Sequence, residues 1–371
     1  MTNIQLSLTS NTDVSISIDY GLLDNADFIQ GLVGKSKRAF IITQEPVRKL
    51  YASKVEAALA GHVELQVYSV KEGEEAKSLT EVASLLDALL THGVERADTI
   101  IAIGGGVVGD LAAFVASICL RGLPLIHIPT TLLAQVDSSV GGKTGVNHDT
   151  GKNLIGSFYQ PKHIVIDPSV LSSLSKRECK SGFAEVIKYG VIRNLALFNR
   201  LKAHKDELKR FDFDAHQDIW KAVISSSVQD KVSVVQADEK ESNLRAILNF
   251  GHSIGHAIEA FFDYGFYKHG ECVAMGMCAA THIAEQKQLI DTEQAQSIYA
   301  LIKDYDYDDI ALKPVALNDL LPYLKRDKKV KSGALHFILP LAIGQVKAYA
   351  NVSERDIKHS LDFIKHFFKE A

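Results

Sequence analysis

Two histidines four residues apart, His252 and His256 in "LNFGHSIGHAIE" (248–259), are the first residues whose spacing could do chemistry. On a helix, positions four apart share a face with Cβ atoms about 6 Å apart, so both rings could hold one metal ion. Arg245, Asn249, His252, His256 and Glu259 follow at helical spacing and form one polar stripe. Leu248, Ile254, Ile258 and Phe261 lie largely off that stripe and suit a core. A polar stripe on a helix with so much apolar surface must be paired or must line a cavity. Gly251 and Gly255 would let another backbone or a ligand come close. Two surface histidines on an amphipathic helix fit the same spacing, so this segment alone leaves metal binding, catalysis and a plain surface open.

Two further stretches widen the choice. "SGFAEVIKYG" (181–190) puts Glu185 and Lys188 three apart on one helix face among apolar residues, which points to a buried pair rather than a surface one. "YKHGECVAMGM" (267–277) supplies His269. Glu185, His252 and His269 form a one-carboxylate, two-histidine set suited to zinc with positions left open. His252 with His256 is an equally good pair by spacing. The run "DYDYDD" (304–309) lacks the glycine and final glutamate of a calcium loop and reads as a solvated acidic segment.

Anion-binding chemistry is indicated earlier in the chain. "IIAIGGGVVGD" (100–110) is a strand, a glycine turn and a helix start, a form that brings backbone amides to a phosphate. Its glycine spacing is not the common GxGxxG. The polar, glycine-rich stretch at 129–158 carries Lys143 and Lys152 and lies between apolar strands. It reads as a long functional loop.

These residues need elements to position them. Strand candidates "IQLSL", "VSISI", "RAFIIT", "VELQVYSV", "DTIIAI", "PLIHIP" and "HIVID" alternate with helical patterns such as 45–60 and 78–92. Ser78 and Glu81 have capping-box spacing. Alternation of this kind predicts a parallel α/β sheet. Helical periodicity then dominates from Val170 to Gln288, and "LHFILPLA" is the last strand candidate. The expected organisation is an α/β domain over 1–168 and a mostly helical domain over 169–371.

Composition bounds the partners. The 371 residues are 46% hydrophobic and 23% charged, ordinary for a soluble globular chain, with a net charge of −4. That charge does not favour nucleic acid; a local cluster of lysines and arginines suits a small anion better. The longest apolar stretch, Leu111 to Leu120, is far short of the ~20 residues of a membrane span, and the N-terminus lacks a signal-peptide pattern. The four cysteines form no CxxC pair and read as reduced core residues of a cytoplasmic protein.

Taken in order, "EGEEAK" (72–77), "GGGVVGD" (104–110), "AQVDSSVGGKTGVN" (134–147), "GKNLIGSF" (151–158), "GFAEVIKYG" (182–190), "LRAILNFGHSIGHAIE" (244–259), "HGE" (269–271) and "RDKK" (326–329) resemble the 3-dehydroquinate synthase family of sugar-phosphate cyclases. The N-terminal hairpin and "YDYDDIALKPVALND" have no clear match. The resemblance implies a Rossmann-like NAD-binding domain, a helical metal domain and an active site in the cleft between them. It assigns a divalent metal, Zn2+ or Co2+, to Glu185, His252 and His269, and makes His256 catalytic and substrate-contacting.

It places NAD against Glu72, Gly73, Glu74, Glu75, Ala76 and Lys77. The glycine turn contributes Gly104, Gly105, Gly106, Val107, Val108, Gly109 and Asp110. Thr130, Thr131, Asp137, Lys143 and Lys152 follow, with Val170, Leu171, Ser172 and Ser173. Lys143 also serves the substrate, as do Asn153, Lys188, Lys231, Arg245, Asn249 and one of Lys328 and Lys329. Arg121 resembles a residue that enters the neighbouring subunit's site, which implies a homodimer.

The implied substrate is a sugar-acid phosphate, 3-deoxy-D-arabino-heptulosonate 7-phosphate. The implied reaction is transient oxidation by NAD, phosphate elimination, re-reduction, ring opening and aldol closure. Another sugar-phosphate cyclase, or a metal-dependent polyol dehydrogenase of the same superfold, is the alternative.

Overall fold

The computed structural model describes residues 1–8, 12–241, 244–326 and 336–369. The chain forms two compact units: Met1–Leu174 with Phe213–Lys240, and Ser175–Asp212 with Glu241–Ala371. The single boundary expected after residue 168 therefore becomes three crossings. The helix Gln217–Ala237 was expected in the second domain, yet it packs on the first strand of the first unit. Helical periodicity shows that a face must be buried but not which surface buries it.

The first unit is built on β1 (Thr2–Ser7), β2 (Asp13–Ile18), β3 (Arg38–Gln44), β4 (Glu64–Val70), β5 (Thr99–Gly104), β6 (Leu125–Pro129), a hairpin of β7 (Lys143–His148) and β8 (Gly151–Phe158), and β9 (His163–Ile166). The main sheet has the order β1-β2-β9-β6-β5-β3-β4. All neighbours are parallel except β1 with β2. Every side chain of β5 is buried, as a strand covered on both faces requires. The helix Leu79–Thr91 starts at Ser78, whose hydroxyl accepts from the Glu81 amide, as the capping-box spacing predicts.

The parallel strands run β4-β3-β5-β6-β9-β2, so the chain leaves β3 towards one edge and returns on its other side at β5. That reversal is a topological switch point, and ligands of such sheets bind beyond the carboxyl ends of the strands there. The stretches 72–77, 104–110, 130–131 and 170–173 directly follow β4, β5, β6 and β9, so all four leave from that edge.

The stretch at 129–158 is not the single long loop its composition suggests. A π-helical turn spans Ala134–Ser138, and β7 and β8 pair antiparallel. Glycine hides the strand pattern: a Cβ at Gly156 would lie 2.0 Å from the Thr144 carbonyl oxygen, and one at Gly145 would lie 2.7 Å from that of Ile155. The ribbon is therefore packed too closely for the alternating side chains that announce a strand.

The second unit is mostly helical. Its framework includes the helices Lys176–Ile192, His252–Phe261 and His269–Gln286, with a hairpin of β10 (Phe337–Ala342) and β11 (Gln345–Tyr349). The helices His252–Phe261 and His269–Gln286 meet through glycine: a Cβ at Gly255 would lie 2.8 Å from the Cys272 carbonyl oxygen, and one at Gly276 would lie 1.8 Å from that of Gly251. Among the described residues no helix is long and apolar enough to cross a membrane.

Candidate active site

The polar stripe does not run along one helix. Leu244–Asn249 is a 3-10 turn, Gly251 takes φ 79°, and the helix begins at His252. Left-handed backbone at Gly251 is what glycine permits, and a Cβ there would also strike Val273 and Met277. His252, His256 and Glu259 thus share one helical face, while Arg245 and Asn249 lie on the preceding turn, where Asn249 donates to Glu241 and to the Ala246 carbonyl oxygen.

His269 opens its own helix, and the "HGE" triplet explains how it is held. The Gly270 amide donates to Ser181 Oγ at 3.0 Å, and a Cβ at Gly270 would lie 1.9 Å from the Ser181 carbonyl oxygen. Glu271 accepts from the Lys268 amide and takes both arms of Arg177 at 2.6 and 2.7 Å. The start of this helix is therefore fixed one turn away from Glu185, which lies on Lys176–Ile192.

The three predicted ligands converge. Glu185 Oε1 is 3.4 Å from Nε2 of His252 and 3.4 Å from Nε2 of His269. Both carboxylate oxygens of Glu185 are buried. A separation of 3.4 Å exceeds the about 2.7–3.2 Å of an N–H···O hydrogen bond. It matches ligand atoms around a tetrahedral ion, where bonds of about 2.0–2.1 Å place neighbouring donors about 3.3–3.4 Å apart. The donor set and its spacing therefore fit a divalent metal.

The far nitrogens are held: His252 Nδ1 lies 3.0 Å from the Phe250 carbonyl oxygen, and His269 Nδ1 lies 3.2 Å from Glu259 Oε2. His256 stands beside them. Its ring centroid is 5.0 Å from that of His252 and 5.7 Å from that of His269, and one nitrogen from each of the three rings falls within 4.8 Å of the others. His252 is buried and His256 is exposed.

The electrostatics follow from burial and charge. Burial alone would raise the Glu185 carboxyl, but Lys188, in ion contact with Oε2, and His252 hold it well below the usual carboxylate range. Burial pushes the His252 imidazole down, against the pull of Glu185. Burial pushes His269 down too, yet the adjacent carboxylates of Glu185 and Glu259 prevail and lift it to about 10. Glu185 and Glu259 thus give the His269 ring a negative surrounding.

The first unit gathers the residues of the expected dinucleotide site. Gly105 caps the helix Gly106–Ile118 without a side-chain bond, so its first amides point from an open N-terminus. A Cβ at Gly104 would lie 2.7 Å from the Val108 side chain, and the Thr130 amide donates to the Gly104 carbonyl oxygen at 2.9 Å. Gly73 takes φ 81° and leads into the short turn Glu74–Ala76, which contains Glu75; Glu72 precedes Gly73. Buried Lys77 donates to Asp110 at 2.6 Å and to Asn153. Asn147 links the group, donating to Glu74 and accepting from the Asn153 amide, both at 2.9 Å.

Lys231 pairs with Asp137 at 3.0 Å and donates to its carbonyl oxygen at 2.5 Å, on the π-helical turn. Lys143 begins β7 and Lys152 lies on β8. Thr131 Oγ1 accepts from the Ala134 amide. Val170 and Leu171 are core residues of a 3-10 turn; the Val170 carbonyl accepts from Tyr51 and Ser173, and Ser172 is bound to Asp214. Arg121 is exposed and follows Leu120 on a turn where both have positive φ, 48° and 69°. Lys328 and Lys329 lie outside the described residues.

Sequence reasoning passed over Ser181, Glu271, Arg177 and Asn147. Glu259 was on the stripe, three residues after His256, but carried no role. The acidic run is neutralised by lysines: Lys205, Lys209, Lys303 and Lys369 pair with Asp304, Asp306, Asp308 and Asp309.

A doubly wound dinucleotide-type sheet and a helical unit with a carboxylate–histidine cluster are the parts a sugar-phosphate cyclase needs, and the comparisons point to that class. The fold matches a 2-epi-5-epi-valiolone synthase from Streptomyces hygroscopicus subsp. jinggangensis 5008, solved with NAD+ and Zn2+, at TM-score 0.87 and 28% identity over 95% of this chain and 97% of that one. A 2-deoxy-scyllo-inosose synthase complexed with carbaglucose-6-phosphate, NAD+ and Co2+ matches at TM-score 0.86 and 26% identity over 97% and 99%. The N-terminal and C-terminal models of 3-dehydroquinate synthase match residues 67–181 and 182–330. A 3-dehydroquinate synthase of Idiomarina loihiensis is 42% identical over 358 residues, 96% of this chain and 98% of that protein. The chain belongs to the 3-dehydroquinate synthase family.

Proposed function

We propose that this chain converts 3-deoxy-D-arabino-heptulosonate 7-phosphate to 3-dehydroquinate and phosphate. The observation that carries the reading is the placement of Glu185 Oε1 at 3.4 Å from Nε2 of both His252 and His269, in a chain whose two family halves follow in order. Glu185, His252 and His269 would hold a divalent metal, Zn2+ or Co2+. The amides at Gly104–Gly106, with Lys77, Asp110, Thr130 and Thr131, would hold NAD. When bound, the dinucleotide accepts and returns a hydride, and the metal polarises substrate hydroxyl groups.

The chain's own residues bind, orient and move protons. His256, exposed beside buried Glu185 and His252, takes a proton from a substrate hydroxyl and returns it. Arg245 is a buried guanidinium suited to planar bidentate contact with a carboxylate or phosphate. Lys188, Asn249, Lys143, Lys231 and Asn153 match the family's substrate-contacting residues. This local cationic chemistry serves a doubly anionic substrate despite the net charge of −4. Arg121 completes the site of a second copy, which makes the working form a homodimer. The four cysteines are free and buried, which supports a reducing, cytoplasmic setting.

The test is stoichiometry. One phosphate should appear per heptulosonate phosphate consumed, NADH should not accumulate, and substoichiometric NAD+ should support full conversion to a carbocycle that a dehydroquinate dehydratase accepts. NADH rising in step with substrate loss, without phosphate, would establish a dehydrogenase. Phosphate release with a different carbocycle would establish another cyclase.

A further inference from the structure

We propose that Glu259 is a positioning residue for the metal: it fixes the ring of His269 and raises the basicity of the nitrogen offered to the ion. The proposal rests on the reading of Glu185, His252 and His269 as the metal ligands.

The geometry assigns this role through the two ligand histidines. Each presents Nε2 to Glu185 Oε1 at 3.4 Å. With Nε2 given to the metal, each neutral ring keeps its hydrogen on Nδ1, which then needs an acceptor. For His252 the acceptor is the Phe250 carbonyl, a neutral group two residues away in its own turn. For His269 it is Glu259 Oε2, a carboxylate on the neighbouring helix. Partners of this kind set tautomer and orientation, and a carboxylate also strengthens the imidazole as a donor to the metal.

Two features make Glu259 more than an incidental pair. It is buried at 7% exposure, so its charge is costly unless matched. It also lies on the helix that carries His252, seven residues on, so one rigid element sets both ligands. His269 needs this support. The bonds at Gly270 and Glu271 fix its backbone, but the ring can still turn about its side-chain torsions.

The experiment measures zinc affinity of the full chain by chelator competition, with the absorption spectrum of the cobalt-loaded protein as a second signal. Glu259→Gln keeps the shape and removes the charge. It should weaken zinc binding about 10–100-fold and alter the cobalt bands. NAD+ affinity should stay unchanged. His269→Ala is the control on the underlying reading and should lose more affinity still. If His269→Ala binds zinc like the unmodified chain, the ligand assignment fails. If His269→Ala loses zinc while Glu259→Gln keeps full affinity and unchanged cobalt bands, only the role of Glu259 fails. A lowered melting temperature of metal-free Glu259→Gln with unaltered zinc affinity would also overturn the proposal, because it marks a purely structural residue.

The unmodified zinc-loaded protein gives a reading that needs no Glu259 variant to fold. A slowly exchanging imidazole N–H resonance that vanishes in His269→Ala should be present. Its absence overturns the proposal.

Discussion

His252 and His256 stand one helical turn apart with ring centroids 5.0 Å apart and rings nearly perpendicular, yet one is buried against Glu185 and the other faces solvent. Two histidines of identical spacing are therefore given different environments, and different variants should separate them. His252→Ala should lose metal. His256→Ala should keep stoichiometric metal and its fold while turnover drops about 10²–10⁴-fold, the usual cost of a lost acid–base group. Metal analysis beside kcat decides the matter; equal metal loss in both variants would reverse the assignment.

Metal loading should be coupled to protons, with a fixed sign. Burial lowers His269, but Glu185 and Glu259 outweigh it and bring the metal-free imidazole to about 10. At neutral pH that ring carries a proton the metal must displace. Below about pH 10, each unit of acidification should thus weaken zinc binding about tenfold through this residue alone. Calorimetry at pH 7 in buffers of different ionisation enthalpy should find at least one proton released per ion. No release would mean that His269 is not a ligand.

Gly276→Ala should loosen the helix pair that carries the ligands. Its Cβ would lie 1.8 Å from the Gly251 carbonyl oxygen, which is backbone and cannot rotate away. Overpacking of this kind costs typically about 1–3 kcal/mol. Urea denaturation should show that loss together with weaker zinc binding. Wild-type stability would mean that the two helices do not need this contact.

Lys77→Met should act on the first unit alone. It removes the 2.6 Å partner of Asp110 and the donor to Asn153. The Asp110 side chain keeps 22% exposure, so the stability cost should fall below the about 3–5 kcal/mol of breaking a fully buried pair. NAD+ affinity should fall while zinc affinity holds. Titration of each ligand separately checks this, and unchanged NAD+ binding would remove Lys77 from the dinucleotide site.

Arg121 should act on a second subunit. Arg121→Ala and His256→Ala proteins, each inactive, should regain part of the activity when mixed, because a hybrid dimer contains one intact site. Native mass spectrometry can confirm the exchange. No recovery in exchanged dimers would place Arg121 in its own chain's site.

The α/β alternation, the glycine turn after β5 and the Ser78 cap were legible in the sequence, because each depends on local periodicity or on residue type at short spacing. The order of motifs carried the family, and with it the choice of His252 over His256, which spacing alone left open. Three things waited for the tertiary structure. Gly145 and Gly156 hid the β7–β8 hairpin, since strands at backbone contact distance carry no alternating side chains to read. The helix Gln217–Ala237 joined the first unit, because periodicity does not name the surface that buries a helix. The partner of His269 also emerged only in three dimensions, because the bond to Glu259 joins two helices and its distance is set by the glycine contacts between them.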